Sequence, residues 1–300
     1  LHYLLLSFLP GLLLLAAGPS PADTRIVVQD DTGHELRLAV PARRIVSLAP
    51  HLTELAYAAG AGDRLVGVSA HSDYPQQASD LPRVGSGQGL DLERILALRP
   101  DLVLAWHSGN PSRALLRLEE LGLVLYRSEP ADLAVIATSL ERIGRLAGTE
   151  AEARQAAQAF RAGLAALAAQ YAERRPLRLF YQIWHQPLMT IGERHWLNDA
   201  LRLCGAVNVF AAQPGQVLTL DREAVLASDP DLLVVAGVGT EPGTGLALWR
   251  AWTSLRAVAL GQVYWLPAEG LHRPTPRILE ELETLCRQID AARGAGREGF

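Results

Sequence analysis

Cysteine is scarce in this chain, with only Cys204 and Cys286 among 300 residues. Two thiols that far apart make no metal site by themselves. A basic surplus is missing too. The formal net charge is −4, where a nucleic-acid binder usually carries a basic stripe. The eight histidines include no pair at HxxxH or HxH spacing. A metal site would have to be assembled from loops, by His51, His71, His107, His185 or His272, while His2, His34 and His195 read as surface or loop residues. No GK[ST] follows the glycine-rich run at residues 85–89 (GSGQG), and its spacing is not that of a dinucleotide fingerprint. The run reads as a tight loop before a helix, with backbone free to approach a ligand. Ser69, in GVSAH, lacks the glycine of a nucleophile elbow, and no carboxylate pair stands out as acid and base. Catalysis is not expected. Apolar residues make up 49% of the chain and charged ones 20%, which is ordinary globular composition with ample core material.

What the chain does contain is a repeat. Residues 90–105 (LDLERILALRPDLVLA) return in variant form at 220–236 (LDREAVLASDPDLLVVA). Leu90, Asp91, Glu93, Pro100, Asp101 and Leu102 recur as Leu220, Asp221, Glu223, Pro230, Asp231 and Leu232, always at the same offset. The offset is far too long for a solenoid, so the pattern predicts two similar lobes. In each copy an aspartate stands at an N-cap position. Apolar residues follow at helical spacing, a proline marks the helix end, and an apolar run suited to a buried parallel strand comes next. A helix feeding a strand in each half points to an α/β fold: two Rossmann-like lobes with parallel sheets.

The rest of the chain fits that frame. Residues 3–17 contain LLLSFLPGLLLLAA, followed by small residues at Ser20, Pro21 and Ala22, so 1–22 reads as a signal peptide and the chain as exported. Pro10 and Gly11 interrupt the run, which is short for a spanning helix. Residues 23–145 form the N-terminal lobe, opening on a hairpin with its turn at 30–33. Residues 146–175 form a connecting backbone helix, rich in Ala, Leu, Glu, Gln and Arg. At about 1.5 Å per residue its stretch from Thr149 to Arg174 would run roughly 35–40 Å. Residues 176–300 form the C-terminal lobe. In open α/β sheets ligands sit beyond the carboxyl ends of the strands. That edge would gather His51, His71, Tyr74, the 85–89 loop, Trp106 and His107 in the first lobe. In the second it would gather Trp184, His185, Met189, Glu269, His272 and Arg273, with the run 184–189 read as a loop. Trp106 and Trp184 each end a strand. Core packing would explain either alone, but their matching positions beside polar loops favour a cleft.

Two pairs stay open on the residues alone. Glu93 and Glu223 sit in the first turn of their helices, where the helix dipole favours a carboxylate. They would equally serve as two exposed anions that dock a two-fold symmetric partner through arginines. Cys204 and Cys286 fit an oxidising compartment, as a disulfide or as two buried thiols.

The segments RRIVSLAPHLTELAYAAG, VGVSAHSDYP, LDLERILALRPDLVLAW with SGN after it, the CG of LRLCGAVNVF and the closing RPTPRILEEL carry a family. Over nearly the whole mature chain they resemble the BtuF family of periplasmic cobalamin-binding proteins, helical-backbone (class III) substrate-binding proteins that serve ABC importers. The resemblance implies a periplasmic protein, monomeric when free, that takes cobalamin or a related corrinoid as transported ligand, with no cofactor, no bare metal ion and no nucleic acid. It implies corrinoid contact at Trp106 and Arg273, docking of the importer's membrane subunits at Glu93 and Glu223, and a Cys204–Cys286 disulfide. With the loop positions added, the expected ligand set is Pro50, His51, His71, Tyr74, Gly87, Trp106, His107, Trp184, Met189, Glu269 and Arg273. The chain departs from the family pattern at His71 (a tyrosine there), Gly87 (tryptophan), Met189 (phenylalanine), Val217 (tryptophan) and Glu269 (aspartate). It thereby loses aromatic surface and places an imidazole, a candidate cobalt ligand, at position 71. A haem, ferric-siderophore or metal-ion receptor of the same class is the alternative. A siderophore receptor should show several cleft arginines, and a metal receptor three or four clustered histidines and carboxylates.

Overall fold

Asp91 and Asp221 both cap helices. The Asp91 carboxylate accepts from the Arg94 amide at 2.9 Å at the start of helix Leu92–Ala97. Asp221 accepts from the Ala224 amide at 2.8 Å at the start of Arg222–Ser228. Each helix is followed by a strand, Leu102–Trp106 or Leu232–Gly237, whose run is buried almost throughout. The likeness extends beyond the repeated residues. Arg99 and Asp229, at the same place in the two copies, both adopt positive φ (47° and 38°). Asp101 accepts from the amides of Arg43 and Arg44, and Asp231 from that of Arg178. The guanidinium of Arg44 donates to the carbonyls of Leu98 and Arg99, and that of Arg178 to those of Ser228 and Asp229. In each lobe an arginine therefore satisfies the orphan carbonyls at the end of the repeat helix and ties that helix to the start of the lobe's first parallel-paired strand.

The structure is a computed structural model and describes residues 25–171, 173–237 and 244–295; the leader expected at 1–22 lies outside them. The N-terminal hairpin forms as expected, Ile26–Gln29 pairing with Glu35–Leu38. Four parallel strands make the first sheet, in the order Leu65–Val68, Ile45–Ser47, Leu102–Trp106, Leu125–Ser128. Alternate residues enter opposite cores. Ile45, Leu102, Leu104 and Tyr126 pack with Leu52, Leu55 and Leu140 on one face. Val46, Val103, Ala105 and Leu125 pack with Ile95, Leu115 and Leu118 on the other. Helices cover both faces, as an apolar parallel sheet requires.

The second sheet is built on the nine-residue strand Leu177–His185. Leu232–Gly237 and then Val263–Pro267 extend it in parallel on one side. On the other side Ala206–Asn208 pairs in parallel with its first half, while Leu188–Ile191 and then Val217–Thr219 add on antiparallel. The expected loop at 184–189 is thus a hairpin. Trp184 and His185 still belong to the central strand, and the chain turns only at Gln186 and Pro187. The 85–89 loop is likewise a small hairpin, Gly85–Ser86 against Gly89–Leu90, in which a Cβ on Gly85 (φ 113°) would strike the Gly89 carbonyl.

Helix Glu150–Tyr171 joins the lobes. Its Ala153, Ala157, Phe160 and Tyr171 belong to one apolar cluster that includes Leu52 and Leu104 of the first lobe and Leu179, Leu232 and Ile289 of the second. The lobes share a core. Cys204 and Cys286 are bonded to each other within the second lobe, linking the end of helix Leu197–Leu203 to helix Ile278–Ala295.

Candidate ligand-binding cleft

The ends of the parallel strands carry exposed aromatic groups on both lobes. Trp106 closes its strand with 38% of its surface exposed, and Trp184 sits near the end of its own at 47%. Tyr74 and Val217 are similarly exposed.

In the first lobe, the chain leaves Ile45–Ser47 and enters helix Pro50–Ala58, with Pro50 in its first turn. Proline is suited to that position because its missing amide would be unpaired there anyway. His51 is buried, and its ring meets the Trp106 indole edge-on, 5.3 Å between centroids and 90° between planes. The turn after Trp106 is held by Asn110, whose side chain accepts from the Trp106 amide at 2.7 Å and donates to the Leu48 carbonyl at 3.0 Å. Trp106 also lies directly on Gly109, where any Cβ would collide with the indole. Gly87 is next to this turn, since a Cβ on it would come within 3.1 Å of the Gly109 carbonyl. His51, Gly87 and Trp106 are therefore one patch. Burial, reinforced by the nearby charge of Arg273, pulls His51 down to about 3, so its imidazole is neutral.

In the second lobe the hairpin places Met189 directly opposite Trp184 on one side and Thr219 on the other. The indole Nε1 of Trp184 donates to the Gln186 carbonyl at 2.9 Å, and the His185 ring lies 5.7 Å away. Glu269 is exposed on the short helix Ala268–Leu271.

Between the lobes the polar groups are already paired. Arg273 Nη1 donates to Glu54 Oε1 and to Asp73 Oδ1, both at 2.8 Å, and its Nη2 to the His71 carbonyl at 3.1 Å. Arg277 donates to the same Glu54 oxygen at 2.9 Å and lies over the Tyr74 ring at 4.2 Å. Thr275 donates to Glu54 Oε2 at 2.9 Å. Elsewhere across the gap, Gln216 donates to Glu129 at 2.7 Å. Burial works against the charges on Arg273 and Asp73. Their mutual bond, with Glu54 added on the arginine, nonetheless raises Arg273 and holds the Asp73 carboxyl below the usual range.

Other expected residues lie apart from the two aromatic patches. The exposed His71 has positive φ (62°) and meets Arg273 through its carbonyl. His107 borders a depression with Thr32, His34, Glu35 and Arg127. His272 pairs with the buried Tyr181 hydroxyl at 3.2 Å, and burial lowers it to about 4. Among the described residues no group of three or more His, Cys, Asp or Glu side chains is placed to hold a metal ion. Glu93 and Glu223 are exposed, each in the first turn of its capped helix. Sequence reasoning missed Glu54, although a carboxylate amid the apolar run HLTELAYAA carries a signal: a buried charge needs a partner.

Comparison with known proteins agrees with this architecture. The family model described as periplasmic binding protein matches residues 45–269. The vitamin B12-binding protein of Vibrio cholerae serotype O1 is 42% identical over 253 residues, covering 84% of this chain and 91% of the relative. The crystal structure of the periplasmic vitamin B12-binding protein BtuF of Vibrio cholerae superimposes with a TM-score of 0.79 at 41% identity, covering 84% of this chain and 98% of that one. A periplasmic heme-binding protein from Pseudomonas aeruginosa is more distant, with a TM-score of 0.71 at 26% identity over 82% of this chain and 91% of that one. No helix among the described residues is long and apolar enough to cross a membrane.

Proposed function

Because this chain belongs to the periplasmic binding protein family, we propose that it captures cobalamin or a related corrinoid between its lobes and hands it to an ABC importer. The observation that carries the reading is the identity of 42% to a vitamin B12-binding protein across 84% of the chain. The strand ends support it, with an exposed tryptophan on each lobe. Such rings offer broad apolar contact to a large flat ligand at little entropic cost.

In this reading Trp106, packed on His51 and Gly109, forms one wall with Pro50, Gly87 and Tyr74. Trp184 and Met189 form the other. Arg273 and Glu269 supply polar contacts at the rim, with His71 and His107 further out. The chain acts as a carrier, not an enzyme. It is exported through the leader at 1–22, works in the periplasm, and is monomeric when free. Glu93 and Glu223 dock the two membrane subunits of the importer.

Calorimetric titration of the mature protein with cyanocobalamin, with haemin and zinc in parallel, tests this. One-to-one binding of cyanocobalamin in the nanomolar to low micromolar range is expected. Uptake of haemin or zinc without cyanocobalamin binding would keep the fold and overturn the ligand.

A further inference from the structure

We infer that Glu54 is a positioning residue. Its one buried carboxylate sets the angle between the lobes, and orients Arg273 and Arg277 at the cleft, before any ligand arrives.

The Glu54 side chain is 3% exposed, and both of its oxygens accept bonds from the opposite lobe. The three donors, Arg273, Thr275 and Arg277, alternate along one short segment, RPTPR. Pro274 and Pro276 fix φ at the intervening positions, and the backbone curls into consecutive turns there, the Thr275 amide donating to the Arg273 carbonyl at 2.9 Å and the Ile278 amide to the Thr275 carbonyl at 3.0 Å. The segment is therefore shaped to offer three donors to one acceptor. Sequence separations of 219 to 223 residues make this a purely tertiary contact.

The first lobe grips the same segment a second time. Asp73 takes Arg273, the His71 carbonyl takes its other nitrogen, and the Tyr74 ring lies under Arg277. Two guanidinium groups thus face two carboxylates, and the junction is electrically balanced. A buried ion whose partner is removed is left uncompensated, so loss of the Glu54 charge forces the RPTPR segment to seek solvent and the lobes to separate at this edge.

The inference concerns the ligand-free chain and does not depend on which ligand binds. Nitroxide labels are placed at Ser112→Cys and Ala247→Cys, exposed sites on the two lobes. The native cysteines, held in their disulfide, stay unlabelled. Pulsed electron–electron distance measurements on the parent should give one narrow distribution. Glu54→Gln should broaden it and shift it to longer distance, while a control pair within the first lobe (Glu35→Cys with Ser112→Cys) stays unchanged. Arg273→Gln should act in the same way, and the double variant should be no worse than either single one, the non-additivity expected of partners in one contact. An unchanged inter-lobe distribution in Glu54→Gln would overturn the inference, as would equal broadening of the control pair. Should Glu54→Gln fail to fold, Arg273→Gln and Thr275→Val test the tie from the other lobe, and unchanged distributions in both would overturn it.

Discussion

The His51 imidazole stands edge-on beneath the Trp106 indole, with its Nε2 buried and without a protein hydrogen-bond partner. The pair joins the buried start of a helix to an exposed ring at the cleft. Protonation of the imidazole would be felt by the indole above it.

Stability should fall in mild acid. Burial lowers His51 to about 3 and His195 and His272 to about 4, against about 6.5 in an unfolded chain. With folded values depressed, the unfolded chain binds more protons between these limits. The stabilisation is therefore complete above about pH 6.5 and is lost progressively as pH falls toward 4, by about 1.4 kcal/mol per pH unit for each group fully protonated only on unfolding. Urea unfolding at pH 7, 5.5 and 4.5 checks this, and His51→Asn should flatten the slope by one proton's worth.

Each strand-end tryptophan should contribute separately to ligand affinity. Trp106→Ala and Trp184→Ala are expected to weaken cyanocobalamin binding roughly ten- to hundredfold, on the order of 2 kcal/mol each, as buried aromatic anchors do. Trp184 is half exposed and should leave the melting temperature almost unmoved. Trp106 covers His51 and Gly109, so its loss should also lower thermal stability. Calorimetric titration beside a melting curve separates the two effects.

Glu93→Ala combined with Glu223→Ala should leave unfolding free energy within about 1 kcal/mol of the parent, since each loses only a first-turn dipole interaction. Cyanocobalamin affinity should not change. Association with the importer's membrane subunits, followed by co-purification in detergent, should be lost.

Replacing Cys204 and Cys286 together by alanine should cost about 4 kcal/mol in the chain-entropy account of a long closed loop, here a sequence separation of 82. Denaturant unfolding with and without reductant reads this directly. The parent should fall to the double variant's stability once reduced.

The parts of the fold that local chemistry writes were legible in the sequence. Asp91 and Asp221 announced two capped helices, and the apolar runs after Pro100 and Pro230 announced two buried strands. Trp106 and Trp184 were legible as residues at strand ends, and both are exposed there. The hairpin at Trp184 to Met189 was not legible, since its turn residues, Gln186 and Pro187, read as a longer loop when the pairing partner is unknown. The junction at Glu54 was hidden for a deeper reason. Its three donors lie more than two hundred residues away, and no spacing rule spans that distance. Only the oddity of one carboxylate between Leu52 and Leu55 hinted at it.

The unbroken core through helix Glu150–Tyr171 gives the molecule a mechanical character. Phe160 and its neighbours are packed against both lobes, and close-packed interiors are stiff and transmit strain. Opening the cleft must then deform packed side chains along the whole spine, where a free linker would simply swing. A chain built this way should open and close by small elastic excursions, with the strain spread along the spine.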